Sequence, residues 1–283
     1  MKKLAIIGFV VATSVASGAG DTPWAEVEAR IDAHVAAAEP IVTHIVVALC
    51  DNIHQGIVPV PAHLGNGQKP RENLYWGAAY GVRTFLTKRA GWEIVESSTG
   101  TQGGRLERIV LRTDLKRGNE SVEAILVADA WDGRFMPEAL ERFLQMAAGN
   151  HAETIDVVVD GQHHTVRASG ASTLIGFVGH NGLMDFSLHE VPTKEPAAKP
   201  RSALVLACSS KPYFKGILED VGAHPILLTT GLMAPEAYTL DAAVKAFILG
   251  ESPGKIRDAA ASAYAKYQRC SQKAARRLFS STP

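Results

Sequence analysis

The amino-acid sequence predicts an α/β protein: a three-layer sandwich built on a mainly parallel sheet, with a β-hairpin insertion. Several short, almost uninterrupted apolar runs carry that expectation. T-H-I-V-V-A-L-C, V-E-A-I-L-V-A-D-A-W, S-T-L-I-G-F-V-G and S-A-L-V-L-A-C read as strands buried on both faces of a parallel sheet. These runs alternate with amphipathic helical patterns, most clearly in the back third of the chain. After a leader, about 260 residues remain, enough for one large domain with its own core. No internal repeat and no long polar linker divides them.

The chain of 283 residues opens Met1-Lys2-Lys3 and continues L-A-I-I-G-F-V-V-A-T-S-V-A-S-G-A-G. A basic start, a short apolar stretch and a tail of Ala, Ser and Gly make up a secretory signal. The apolar stretch is too short to span a bilayer. Residues 1–20 are therefore expected to be removed, leaving 21–283 as a single domain, periplasmic or secreted, with no membrane span in the mature chain. The alternative for the same residues is a buried N-terminal strand. Charge is balanced, with 29 basic and 29 acidic residues, and no basic stripe precedes the C-terminal K-A-A-R-R. A nucleic-acid partner is not expected, because phosphates need a positive surface.

Thr22 and Pro23 open an amphipathic helix with Trp24, Val27, Ile31, Val35 and Ala38 on its apolar face. The first strand ends at Asp51-Asn52, and a Pro/Gly loop over 53–72 follows. A helix is expected from Asn73 to Gly91, with Tyr75, Trp76 and Tyr80 packing inward. W-E-I-V-E-S is the next strand, and strand–helix–strand in this order suggests a right-handed parallel crossover. R-I-V-L-R-T and V-E-A-I-L-V-A-D-A-W are separated by a turn containing Gly118-Asn119, and Asp129, Trp131 and Asp132 are read as following the apolar strand, with Asp132-Gly133 a turn. A helix covers about 137–149. T-I-D-V-V-V, Asp160-Gly161 and Q-H-H-T-V-R form a two-residue hairpin, expected at a sheet edge. His163 and His164 within it point to opposite faces and make a poor metal site. Helices are expected from Pro212, Pro235 and Pro253, with the strand P-I-L-L-T-T after the first.

The chemistry lies at two strand ends. S-T-L-I-G-F-V-G runs into His180, and S-A-L-V-L-A runs into Cys208. Reactive groups gather at the carboxyl ends of parallel strands, and a thiol needs a base or cation beside it to act as a nucleophile. Gly182 allows close backbone approach, so its N–H and that of Cys208 are the candidate oxyanion donors. Asp51 and Asn52 belong to the same rim, as orienting or specificity groups or as plain turn residues. The plain alternative for Cys208 and His180 is a buried thiol and a polar turn residue. Cys50 reads as a small buried hydrophobe, and Cys270 lies on a polar helix. Three cysteines leave at least one thiol unpaired within the chain. His54 and His63, with an aspartate, give a third reading, a metal-dependent hydrolase, but they lack ligand spacing, and neither metal nor cofactor is expected.

F-V-G-His180-N-Gly182 and L-V-L-Ala207-Cys208-S-S resemble the caspase-like cysteine peptidases, the superfamily of caspases, gingipains, legumains and separases. There, one apolar strand ends in His-Gly and a following one ends in a small residue and the catalytic Cys. G-I-L-E-D-V-G-A-H-P-I-L-L-T-T-G and L-D-A-A-V-K-A-F-I-L-G-E-S look like the C-terminal part of that family. The detailed similarity covers roughly residues 170 to 260. Asn181 between His180 and Gly182, and the lack of a helix between the two strands, depart from the pattern. The resemblance implies a caspase-like sheet and a cysteine hydrolase acting on a peptide or protein substrate, which the leader would export. A different class, a catalytically silent binding module recognising a protein or peptide through the 53–72 loop, remains open. The stretch 191–200 looks exposed and cleavable.

Overall fold

The computed structural model describes residues 23–159 and 161–282. The leader 1–20, the Thr22 cap and Asp160 lie outside the described residues. Among the described residues, ten strands and seven α-helices follow one another in the order α1 (Pro23–Ala36), β1 (Ile41–Ala48), α2 (Val82–Arg89), β2 (Glu93–Gln102), β3 (Arg105–Arg117), β4 (Glu120–Trp131), α3 (Met136–Ala147), β5 (Glu153–Val159), β6 (Gln162–Ala168), β7 (Leu174–Val178), β8 (Ser202–Leu206), α4 (Ser210–Asp220), β9 (His224–Thr229), α5 (Ala237–Ile248), α6 (Pro253–Gln268), α7 (Gln272–Leu278) and β10 (Phe279–Ser280). Eight strands form one sheet in the order β10-β9-β8-β7-β1-β4-β3-β2, and β5-β6 form a separate pair. The run from β9 through β8, β7 and β1 to β4 is parallel. β3 and β2 extend it antiparallel on one side and β10 on the other. The sheet is therefore mainly parallel and covered on both faces, as its continuous apolar strands require.

Odd and even positions of each strand serve different layers. Ile41, Ile45 and Val47 of β1 pack in the core shared with Trp24, Val27 and Ile31 of α1, Phe85 of α2, Phe247 of α5 and Ile256 of α6. Val46, Phe177 and Val205 face Phe143 of α3 and Phe214 of α4 on the opposite side. Ala38, expected on the apolar face of α1, lies beyond the helix end and is exposed.

Three expectations need correction. The helix expected from Asn73 begins only at Val82, and 73–81 is a run of turns. Asn73 replaces helical bonding there: its side-chain oxygen accepts from Cys50 and Tyr75 N–H while its amide donates to Cys50 and Asn66 carbonyls. Gly77 passes so close to Arg71 that a Cβ would sit 2.0 Å from its carbonyl oxygen, which a regular helix does not allow. Tyr75 and Trp76 are nevertheless buried, as expected. The first crossover does not join neighbours: β2 runs in the direction of β1 but lies three positions away, and the parallel partners of β1 are β4 and β7. The β5-β6 hairpin does not extend a sheet edge. It lies on a face, with Val157, Val166 and Ala168 packed on Val42, Val110, Ile125 and Val127.

Beneath that hairpin is a buried ionic network. Arg108 of β3 holds Asp129 of β4 in a fork, at 2.6 and 2.7 Å, and reaches Glu153 of β5 at 3.0 Å. His44 of β1 lies 3.0 Å from Asp129 through Nε2 and accepts the Ser169 N–H at Nδ1. Asp129 thus sits inside β4, not after it, and belongs to the scaffold.

Candidate functional site

β7 and β8 pair in parallel with Val178 opposite Leu206. His180 and Cys208 each lie two residues beyond that pair, so the two strand ends deliver them in register at one sheet edge. Parallel neighbours stand about 4.8 Å apart. Asn181, fully buried, ties the ends together by donating from Nδ2 to the Cys208 carbonyl at 2.8 Å. Its Oδ1 is buried without a partner among the described residues.

His180 is almost buried, and its Nε2 lies 2.6 Å from Asp185 Oδ2. Asp185 follows the short 3-10 turn Gly182–Met184 and is 41 % exposed. A carboxylate at Nε2 fixes the donor there and leaves Nδ1 as the basic nitrogen. Asp185 is not among the site residues the sequence predicts. Its signal was an acid five residues after the histidine, in an irregular stretch where no periodicity points to it. The Gly56 N–H approaches the same carboxylate at 3.4 Å, which joins the 53–72 loop to the histidine side of the site.

Cys208 is a free, partly exposed thiol. Its Sγ accepts from the Met233 N–H at 3.4 Å and donates to the Met233 carbonyl at 3.6 Å, so in the resting chain it bonds to the β9–α5 loop and not to His180. Ser209 follows in the left-handed region, with φ 47, at the N-terminal boundary of α4, and its side chain makes no capping bond. The thiol therefore stands just before a helix N-terminus, where the backbone dipoles favour negative charge. Of the two candidate oxyanion donors, the Cys208 N–H has no partner among the described residues. The Gly182 N–H donates to the His180 carbonyl at 3.1 Å and is taken until that turn opens.

Asp51 and Asn52 reach the rim but are engaged within their own loop. Asp51 accepts from Gln68, from the Ile53 and His54 N–H groups, and pairs with His54 Nδ1. Burial pushes its carboxyl up, and these bonds outweigh burial and hold it below the usual carboxylate range. Asn52 closes the loop by a reciprocal pair with the Val60 backbone. Both brace the loop. Asp132 accepts from Gln68 and Arg134, which links the ends of β1 and β4. Cys50 is buried, with its thiol pushed up by burial to about 11. Cys270 is exposed and free.

Among the described residues no three His, Cys, Asp or Glu side chains gather closely enough to hold a metal ion, and His54 is paired with Asp51 instead. No described helix is long and apolar enough to cross a membrane. Apolar side chains are exposed beside these polar groups: among the described residues Ile53 (83 %), Val58 (87 %) and Leu232 (78 %) are the most exposed large ones, with Met184 and Phe135 on short 3-10 turns and Tyr213 in the first turn of α4. No family model, curated protein or solved structure matches the chain, so the site is read from its own geometry.

Proposed function

We propose that this chain is an exported, caspase-like cysteine hydrolase that cleaves peptide bonds. Cys208 is the nucleophile, His180 the general base and acid, and Asp185 the residue that orients the imidazole. The observation that carries this reading is the register of β7 and β8, which brings His180 and Cys208 to adjacent strand ends clamped by Asn181. In the reaction His180 Nδ1 takes the thiol proton as sulfur bonds to the scissile carbonyl carbon. The oxyanion meets the Cys208 N–H, and the Gly182 N–H once its turn opens. The same proton passes to the leaving amine, the C–N bond breaks, and water then cleaves the thioester. Exposed Ile53, Val58, Met184 and Leu232 around the site favour substrates with apolar side chains near the scissile bond.

The test is covalent capture. A peptidyl acyloxymethyl ketone with apolar side chains is expected to label Cys208 in the full chain and to spare Cys270. Cys208→Ala abolishes labelling, and His180→Ala slows it at least tenfold. Equal labelling of Cys208 and Cys270 would overturn the proposal. Secretion is tested separately, by fractionating cells that express the full chain.

One observation favours a second reading, a silent binding module. The thiol rests on Met233 and the Gly182 N–H rests on His180, a self-satisfied arrangement that holds a rim loop still. On that reading apolar peptides bind the rim, and Cys208→Ala leaves their affinity unchanged.

A further inference from the structure

The amino end of the sheet, opposite the candidate catalytic edge, carries an open cleft of about 870 Å³ between α1, β6 and the chain leading into β8. That volume suits a small organic ligand. Much of its wall is apolar, including Ala33, Val42, Val166 and Ala197. Three cations also line it: Arg30, Arg167 and Lys199. A fourth, Arg201, stands directly behind the wall at Gly149, where a Cβ would meet its Nη1 at 2.5 Å.

Among the described residues none of these cations pairs with a carboxylate. The Arg30 guanidinium donates to the Ala171, Ser172 and Pro200 carbonyls. Arg201 is 2 % exposed and donates to the Ala147 and Lys199 carbonyls, while its Nε is buried with no partner among the described residues. Two acids share the wall, but Glu39 is paired with His34 at 3.2 Å, and Glu195 accepts the Ala197 N–H. Burial, then the neighbouring Arg201 and Arg167, lowers Arg30 to about 10. Arg30 and Arg201 are thus two like charges largely withdrawn from water, which is unfavourable until a counter-charge arrives, while Arg167 and Lys199 stand exposed at the mouth.

We propose that this cleft binds a small amphipathic anion, its carboxylate or phosphate head between Arg30, Arg167 and Lys199 and its apolar body along Ala33, Val42 and Val166. The site is independent of the hydrolase reading and uses none of its residues.

Calorimetric titration of the full chain at low salt, with decanoate, decyl phosphate, decanol and inorganic phosphate, tests it. Decanoate or decyl phosphate is expected to bind at one site, and the tighter of the two identifies the head group. Decanol, which lacks the charge, and inorganic phosphate, which lacks the body, should bind at least roughly tenfold more weakly. Arg30→Gln removes three backbone contacts and can compromise folding, so the exposed Arg167 and Lys199 carry the test. Arg167→Glu and Lys199→Glu should melt as wild type does and weaken binding roughly tenfold or more. Decanol or inorganic phosphate binding as tightly as the amphipathic anions, unchanged affinity in both charge-reversed variants, or no binding by any probe would overturn the proposal.

Discussion

Arg108→Ala tests how far the scaffold beneath the hairpin depends on its buried charges. The change leaves Asp129, 1 % exposed, with His44 at 3.0 Å and Arg105 only at 4.0 Å, and removes the guanidinium that joins β3, β4 and β5. Breaking a buried pair by removing one partner costs about 3–5 kcal/mol. Two features favour the lower end: Glu153 is partly exposed, so its share is screened by solvent, and Arg105 stands 4.0 Å from Asp129 and offers partial relief. The expected loss is about 3 kcal/mol, or roughly 6–12 °C in melting temperature for a domain of this size. Urea unfolding at pH 7 measures it, with the slope checked against wild type. The pH dependence supplies the sign. Burial pushes the Asp129 carboxyl up, but Arg108 and His44 outweigh it and hold it well below the usual range. That stabilisation is fully present above the unfolded value of about 4 and is lost as pH falls toward the lower folded value. In the variant burial is opposed only by His44 and the more distant Arg105, so the carboxyl rises and takes up a proton more readily. The difference between the two proteins should therefore shrink as pH falls from 7 to about 4. A loss under about 1 kcal/mol, or one that does not change with pH, would refute this account.

Three further outcomes bear on the candidate site. Asp185→Asn replaces the acceptor at His180 Nε2; because Asp185 is partly exposed, the expected effect is about 1.4 kcal/mol, near tenfold in the rate of Cys208 capture by a peptidyl electrophile, and an unchanged rate would remove Asp185 from the mechanism. Asn181→Ala unclamps the strand ends at a cost of about 1 kcal/mol; capture should slow in molecules that remain folded, whereas a purely structural role lowers the melting temperature and leaves the capture rate alone. Leu232→Asp places a charge on the apolar rim without disturbing the core, since Leu232 is 78 % exposed; capture by apolar peptidyl probes should weaken several-fold while capture by iodoacetamide does not, and parallel losses with both reagents would count against rim recognition.

The parallel core was legible because strands buried on both faces leave continuous apolar runs, and β1, β4, β7 and β8 all lie where such runs stand. Their neighbour relations were less legible. W-E-I-V-E-S has a strand pattern, but nothing local says that β2 will cross β1 and β4 to pair with β3. The segment 73–81 misled because its aromatic spacing suits a helix, while the bonds that decide its shape come from Asn73 to distant backbone. His180 and Cys208 were visible as polar groups closing apolar runs. Asp185 was not, because its partnership is made by a 3-10 turn. Asp129 looked like a residue after a strand, since a single acid inside a buried strand makes sense only once Arg108 and His44 flank it.

The resting state of the thiol separates the two functional readings. Its contacts to Met233 involve sulfur, at 3.4 and 3.6 Å, and hydrogen bonds of this kind are individually weak. The Cys208 backbone is fixed far more firmly, between β8 and the first turn of α4 and by the Asn181 clamp. A turn about the Cys208 side-chain bond therefore exchanges two weak contacts for a new direction of Sγ without moving the scaffold. The neighbouring strand end, about 4.8 Å away, carries an imidazole whose Nε2 is already committed to Asp185. On the hydrolase reading a captured electrophile holds Sγ away from the Met233 backbone, with His180 Nδ1 turned toward the adduct. A crystal structure of the adduct with the Met233 N–H still bonded to Sγ, and Nδ1 facing elsewhere, would leave His180 without a part in proton transfer and make the binding module the better account.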